Sequence, residues 1–384
     1  MPAKRIAVLG CTGSVGTQAL DVAAKQGYEV TALSCAKNVQ KAEEAIRRFG
    51  VKLCGVADTE AARLLRAAVK DTDCKIIEGK DAAKAVAETA EADTVLNAVT
   101  GVAGLMPTVK ALENGKELAL ANKESLVTAG EYVTALAAKN NKEILPVDSE
   151  HCAVWQSLKG NRRKDVKRII LTASGGPFFG YTPEMLASVT AKDALKHPTW
   201  NMGVKITVDS ATLMNKGFEV IEAKWLFDAE PDEIDVIVHR ESIIHSMVEY
   251  KDNMIIAQLG APDMRSCIQY ALTAPERIDG IAEPLDFAKL AKMTFFAPDE
   301  RTFPLLALAK QVLKKGGCYG ASLNGANEEA VAMFVRDGIT LPELFRVVAE
   351  ATEACGNADT SLEAVFDADK AARAKVRETA RKKN

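Results

Sequence analysis

The opening of the chain sets the strongest constraint on its fold. An apolar run, Arg5-Ile6-Ala7-Val8-Leu9, passes directly into Gly10-Cys11-Thr12-Gly13-Ser14-Val15-Gly16, then into the amphipathic TQALDVAAKQG and the apolar EVTALS. Strand, glycine turn, helix and second strand in that order form a βαβ unit, whose parallel pairing covers a sheet with helices. The same alternation continues through TVLNAV, ELALA and EILPV, so residues 1–148 are expected to form a Rossmann-like parallel sheet. The turn between first strand and first helix suits a pyrophosphate, because uncapped N–H groups and the helix dipole face it. Its spacing is GxxGxxG rather than GxGxxG, and a purely structural turn is the alternative reading.

After residue 148 the pattern changes. KRIILTA, KITV, EIDVIVHR, SIIHSMVEY and MIIAQLG read as strands, with one long helix from Ala211 to Phe227 among them and a hairpin turn at Tyr250 to Met254. A central α+β domain with a mixed or antiparallel sheet is expected over 149–273. Pro275, Pro284, Pro298 and Pro304 then mark 274–305 as an extended linker. Three helical patterns, Asn324 to Arg336, Leu341 to Cys355 and Ser361 onward, predict a C-terminal helical bundle over 306–384.

At 384 residues, two or three domains are expected. A net charge of -3 from 49 basic and 52 acidic residues gives no electrostatic footprint for nucleic acid or an anionic membrane. The partner expected is a small molecule. Eight cysteines without a CxxC pair point to reduced thiols and a cytoplasmic location. Only four residues precede the first strand, so no leader peptide is expected, and no apolar run reaches membrane length.

A dinucleotide site that prefers NAD is expected to end its second strand in Asp or Glu. This chain reads Leu33-Ser34-Cys35-Ala36-Lys37-Asn38, where Lys37 suits the 2'-phosphate of NADPH or is a solvated loop lysine. Asn97 to Gly101 and Asn122-Lys123-Glu124 close further strands, at the edge where ligands of open α/β sheets bind. Lys123 is therefore a substrate candidate.

Asp148-Ser149-Glu150 offers two carboxylates to a hard cation if both lie on one face of a strand end. Alternatively, Asp148 or Ser149 caps a helix starting near His151. Asn215, Lys216 and Glu219 recur at helical spacing on a helix expected to start near Ser210, whose hydroxyl and dipole suit a phosphate. Gly217 inside that helix costs about 1 kcal/mol relative to alanine, which implies close packing against its backbone. Ser174-Gly175-Gly176-Pro177 either presents N–H groups to an anion or forms a plain turn. His197-Pro198-Thr199-Trp200-Asn201-Met202-Gly203 reads as a lid that excludes water, or as a loop anchored in the core by Trp200 and Met202. His151, His239 and His245 lack ligand spacing and are expected to be structural.

Taken together, GCTGSVG, LANKESLV, PVDSEH, TASGGPF, HPTWNMG, VDSATLMNKGFEVIEA and VHRESIIHSMVEY resemble the 1-deoxy-D-xylulose 5-phosphate reductoisomerase family, in that family's order and over essentially the whole chain. The resemblance implies that Asp148, Glu150 and Glu219 bind Mg2+ or Mn2+, with Co2+ a further option. It implies that Ser149 and Lys123 contact the substrate backbone and that Ser174, Ser210, Asn215 and Lys216 hold its phosphate. His197 and Trp200 would belong to the closing lid. Gly10, Thr12, Gly13, Ser14, Val15, Lys37, Asn38, Asn122 and Glu124 would line the NADPH site. Cys11 stands where the family usually has serine, and Ala36 where it commonly has glycine.

The implied reaction is the rearrangement and reduction of 1-deoxy-D-xylulose 5-phosphate to 2-C-methyl-D-erythritol 4-phosphate, by a cytoplasmic homodimer of the non-mevalonate pathway. Lys123 and Glu150 are the candidates for moving protons. Two rivals stand beside this reading. One is a semialdehyde dehydrogenase, which requires an acylatable thiol such as Cys152 or Cys267. The other is a nucleotide-sensing regulator without chemistry.

Overall fold

The computed structural model describes residues 4–196, 200 and 202–381. Contacts divide the chain into two compact units: one of Met1–Ser125, Val133–Cys152 and Asp263–Glu283, the other of Leu126–Tyr132, Ala153–Pro262 and Pro284–Asn384.

The first unit is built on strands β1 (Arg5–Leu9), β2 (Glu29–Cys35), β3 (Leu53–Val56), β4 (Lys75–Glu78), β5 (Thr94–Asn97), β6 (Glu117–Leu120) and β7 (Ile144–Pro146). They form one parallel sheet in the order β4-β3-β2-β1-β5-β6-β7, the Rossmann-like arrangement expected from the sequence. The central strand β1 is apolar after Arg5 because helices cover both its faces; Ile6, Ala7, Val8 and Leu9 are all fully buried. Strand order reverses between β1 and β5, which opens a crevice at their carboxyl ends. Helix Met264–Thr273, far along the chain, returns to this unit. Its Ile268, Ala271 and Leu272 join the core around Ile6, Val8 and Leu33, and Lys4 Nζ donates to Leu272 O at 3.0 Å.

The second unit holds β8 (Val166–Ala173), β9 (Ile234–Val238), β10 (Ile244–Tyr250) and β11 (Ile255–Leu259), in the order β11-β10-β8-β9. The β8–β9 pair is parallel and the others antiparallel, so the sheet is mixed. The hairpin between β10 and β11 turns at Asn253, with φ of 64°, and Tyr250 N donates to Met254 O at 2.9 Å. Helices Pro304–Lys315, Tyr319–Val335, Leu341–Cys355 and Leu362–Arg381 complete the unit as the expected C-terminal helical region.

Three local expectations need correction. KITV is not a strand: it lies in helix Val204–Ala211, started by Gly203 and held by Thr207 Oγ1, which donates to Gly203 O at 2.8 Å. Three β-branched residues in a row mislead when burial of Thr207 and Val208 in a helical face outweighs propensity. The helix expected over Ala211 to Phe227 is two. Leu213, at φ of 60°, ends the first and starts the second, Met214–Phe227, so Ser210 closes a helix rather than opening one. Helix Tyr319–Val335 begins five residues before the expected Asn324, because Gly320 and Gly325 lie within it. A Cβ on either would fall 2.0 Å from Val127 O or 2.5 Å from Asp369 O, so close neighbours require glycine there.

Candidate active site

In the first unit the glycine turn is shaped to receive a ligand. Gly10 has φ of 79°, and a Cβ there would sit 2.5 Å from Ala98 O; one on Gly16 would sit 2.2 Å from Gly10 O. The turn thus packs backbone on backbone, and glycine alone fits. Gly13 precedes helix Ser14–Gln26 and offers no side-chain cap, and the start of a helix is where an anion is received. Thr12 is half-buried and Gly13 and Ser14 are exposed beside them, while Cys11 is buried and its thiol is pushed up by desolvation. Lys37 is exposed just past β2, and Asn38 caps helix Val39–Phe49 by accepting from Lys41 N at 3.1 Å. Across the crevice, Asn122 Nδ2 donates to Val99 O at 2.7 Å, Gly101 O at 3.0 Å and Glu124 Oε2 at 2.8 Å. Asn122 and Glu124 are almost wholly buried, so they fix the loop after β5.

Asp148 caps a helix, Ser149–Leu158, by accepting from Glu150 N at 3.0 Å and His151 N at 3.2 Å through Oδ1. The helix start, rather than a strand end, presents both carboxylates. Capping leaves Asp148 Oδ2 to Lys123 Nζ, so Asp148 and Lys123 form a partly buried ion pair, and Ser149 Oγ donates to Glu150 Oε2 at 2.6 Å. Asp148, Ser149, Glu150 and Lys123 are therefore brought together within this unit. His151 is buried with Nδ1 3.3 Å from Asp148 Oδ1. Cys267 is buried against Val147 O at 3.0 Å and Met264 O at 3.1 Å, and burial pushes its thiol well up, so it offers no thiolate for acyl transfer.

In the second unit, Asn215 and Lys216 close on Glu219 from one helix face. Asn215 Nδ2 donates to Glu219 Oε1 at 2.6 Å, and Lys216 Nζ pairs with Glu219 Oε2. Lys216 is 4% exposed and Glu219 1%. Gly217 lies under Ala309, whose Cβ would be 2.7 Å from an added methyl, so the close packing expected of it is present. The turn that follows Ser174 approaches Ser210 through backbone: a Cβ on Gly176 would lie 2.6 Å from Ser210 O. Trp200 and Met202 are half-buried, with the Trp200 ring 6.5 Å from that of His245. His197 lies outside the described residues. His239 is structural, as expected, with Nδ1 3.0 Å from Thr294 O and Nε2 accepting from Ile243 N at 3.2 Å.

Sequence profiles described as 1-deoxy-D-xylulose 5-phosphate reductoisomerase match residues 6–130 and, for its C-terminal domain, 144–227; a third, the DXP reductoisomerase C-terminal domain, matches 259–375. A protein of Acetivibrio thermocellus named 1-deoxy-D-xylulose 5-phosphate reductoisomerase is 51% identical over 347 residues, 90% of this chain and 91% of its own. The chain belongs to the 1-deoxy-D-xylulose 5-phosphate reductoisomerase family. A namesake from Ruminiclostridium cellulolyticum is 47% identical over 98% of this chain and 99% of its own. Two solved reductoisomerases align along 98% of this chain. One, from Zymomonas mobilis in complex with NADPH, is 40% identical with a TM-score of 0.92 and covers 99% of its own length. The other, in complex with NADPH, fosmidomycin and magnesium, is 35% identical with a TM-score of 0.93 over 98% of its length. The family's members are NADP-dependent oxidoreductases, and this chain is an enzyme of that class.

Sequence reading passed over two features of this reductoisomerase-family chain. Lys205 Nζ reaches Asp209 Oδ2 at 2.8 Å, and Asn327 Nδ2 donates to Asp209 Oδ1 at 2.8 Å, which anchors the helix Val204–Ala211 that carries Ser210. The i,i+4 spacing of Lys205 and Asp209 was the available signal, hidden while KITV read as a strand. Arg240 is the second: it donates to Ser174 O and Gly176 O, 66 and 64 residues away in sequence, and no spacing rule reaches that far.

Proposed function

We propose that the chain converts 1-deoxy-D-xylulose 5-phosphate to 2-C-methyl-D-erythritol 4-phosphate by rearrangement and reduction, with NADPH and a divalent cation, in the non-mevalonate route to isoprenoid precursors. The observation that carries this reading is Glu219. A carboxylate 1% exposed costs several kcal/mol to bury unless polar and cationic partners offset it, and here an amide and an ammonium bracket it. Family membership supplies the chemistry that uses such a group.

We assign Asp148, Glu150 and Glu219 to one Mg2+, an all-oxygen donor set of the hard kind such an ion takes; Mn2+ or Co2+ would replace it. The uncapped turn from Gly10 through Thr12, Gly13, Ser14 and Val15 fits the pyrophosphate of NADPH, with Lys37 toward its 2'-phosphate and Asn38 beside it. When bound, the cation supplies Lewis acidity at the substrate's carbonyl and hydroxyl oxygens, and NADPH supplies the hydride. Ser149 orients the substrate backbone. Lys123 holds Asp148 in register and, with Glu150, carries protons at Nζ and the carboxylate. Ser174, Ser210, Asn215 and Lys216 grip the phosphate, a remote group whose binding energy closes a lid of His197, Trp200 and Met202 over the reacting carbons. Asn122 and Glu124 hold the loop after β5 on the cofactor side.

Functionally, residues 1–148 serve the cofactor, 149–273 the metal and substrate, 274–305 connect, and 306–384 brace the second unit. A cytoplasmic homodimer completes the proposal. What supports dimerisation is β11, an edge strand with Ile255 and Ile256 exposed, and Met254 exposed just before it. The deciding assay mixes the protein with deoxyxylulose phosphate, NADPH and Mg2+ and follows cofactor absorbance. Consumption that stops on adding a chelator is expected; consumption indifferent to the chelator, or none at all, removes the assignment.

A further inference from the structure

Arg240 follows β9 and belongs to none of the constellations above. Its Nη1 donates to Ser174 O at 2.6 Å and to Gly176 O at 2.8 Å. Its guanidinium carbon stands 4.8 Å from the centroid of the Phe179 ring, which packs at 5.1 Å on Phe296. No carboxylate among the described residues pairs with it. The adjacent Glu241 turns to Thr294, accepting from its Oγ1 at 2.8 Å and its N at 3.1 Å. A cation held by two carbonyls and an aromatic face, with Glu241 near enough to act on it but not in direct contact, is placed for what its donors fix rather than for its charge.

What it fixes is a turn that would otherwise be loose. Gly175 and Gly176 have φ of 76° and 67°, and glycine pairs explore both halves of backbone space freely. In a trans peptide, C=O and the following N–H point to opposite sides. Drawing Ser174 O onto Arg240 therefore turns the Gly175 N–H the other way, and no acceptor among the described residues meets it. The Gly176 N–H is held by Ser174 Oγ at 3.3 Å, and Pro177 has none. The turn presents one oriented donor and packs against the backbone of Ser210.

We infer that Arg240 is a positioning residue for the substrate phosphate: it locks the Ser174–Gly176 turn so that the Gly175 N–H donates to the phosphate beside the serine hydroxyls. This rests on the reading that Ser174 and Ser210 bind phosphate, and the experiment separates the two. Steady-state kinetics on the full chain with Mg2+ and NADPH compare Arg240→Met, which keeps the apolar stem over Phe179 and removes the donors, with Arg240→Lys and Ser174→Ala. Arg240→Met is expected to raise the KM for deoxyxylulose phosphate about tenfold, with kcat falling by less than KM rises and the KM for NADPH within about twofold, and Arg240→Lys to restore most of the loss. A Ser174→Ala variant with unchanged KM overturns the phosphate reading itself. If Ser174→Ala raises KM while Arg240→Met does not, or if Arg240→Met lowers kcat and weakens both substrates alike, the positioning role is wrong. Should Arg240→Met fail to fold, Phe179→Leu decides, since it removes the ring under the guanidinium and keeps the donors. A selective rise in the KM for deoxyxylulose phosphate supports the role, and an unchanged value overturns it.

Discussion

Single side chains in this protein hold two duties at once. Asp148 is both helix cap and ion-pair partner, and the two oxygens divide the work: Oδ1 accepts the backbone N–H groups and Oδ2 the Lys123 ammonium. Of the two readings the sequence left open at this residue, the helix cap is the one present, and a carboxylate has lone pairs enough to cap and still pair with an ammonium. Glu219 is the sharper test. Glu219→Gln is expected to lower kcat by at least about a hundredfold, as losing a metal ligand or its orienting group does, with NADPH affinity within about twofold by fluorescence titration. Full turnover in that variant would take Glu219 out of the metal set. At Gly16, alanine would place a methyl 2.2 Å from Gly10 O. Gly16→Ala is expected to cost about 1–3 kcal/mol of stability and to weaken NADPH binding, read by urea unfolding and by titration.

At the level of elements, the sequence was most legible where burial makes strands largely apolar, as in β1, β5 and β6, and where a glycine turn links strand to helix. It was least legible around Ser210. The residues of KITV favour strands locally, and only packing within the second unit makes them a helix; the left-handed break at Leu213 has no glycine to announce it. Helix Met214–Phe227 needs Gly217 because Ala309 of helix Pro304–Lys315 presses on it. Gly217→Ala is expected to destabilise the protein by about 1–3 kcal/mol despite its better helix propensity, and Ala309→Gly in the same chain to recover much of that in thermal melts. In the mixed sheet, Glu249 of β10 is bonded by Lys167 Nζ at 2.6 Å and Arg168 Nε at 2.5 Å, which holds its carboxyl below the usual carboxylate range. A depressed folded value stabilises above the unfolded pKa, about 4.3, and is lost as pH falls through the folded value. Acid unfolding of Glu249→Gln should accordingly show a shallower loss of stability below about pH 5 than the parent chain, followed by circular dichroism.

For the molecule as a whole, the proposed duties fall on differently built units. The first is a parallel sheet with a glycine turn, lacking a side-chain cap, proposed for the pyrophosphate; the second buries charge on helices over a mixed sheet. NADPH at about 100 times its Kd should add about 2.7 kcal/mol to stability, seen as a midpoint that climbs with cofactor concentration. A midpoint indifferent to NADPH would sink the cofactor assignment. Edge strand β11 makes the dimer testable: Ile255→Lys with Ile256→Glu should yield a monomer in sedimentation, while a parent chain that already sediments as a monomer would dispose of the homodimer.

By itself the sequence determined the parallel sheet, the nucleotide turn and the local groups Asp148-Ser149-Glu150 and Asn215-Lys216-Glu219. Periodicity and short-range spacing are properties of neighbours along the chain, and these features need nothing more. Tertiary structure alone decided that KITV is helical, that helix Met264–Thr273 returns to the first sheet, and that Arg240 clamps the turn at Ser174. Each of those depends on what a residue is buried against, and burial joins residues whose separation in sequence carries no signal.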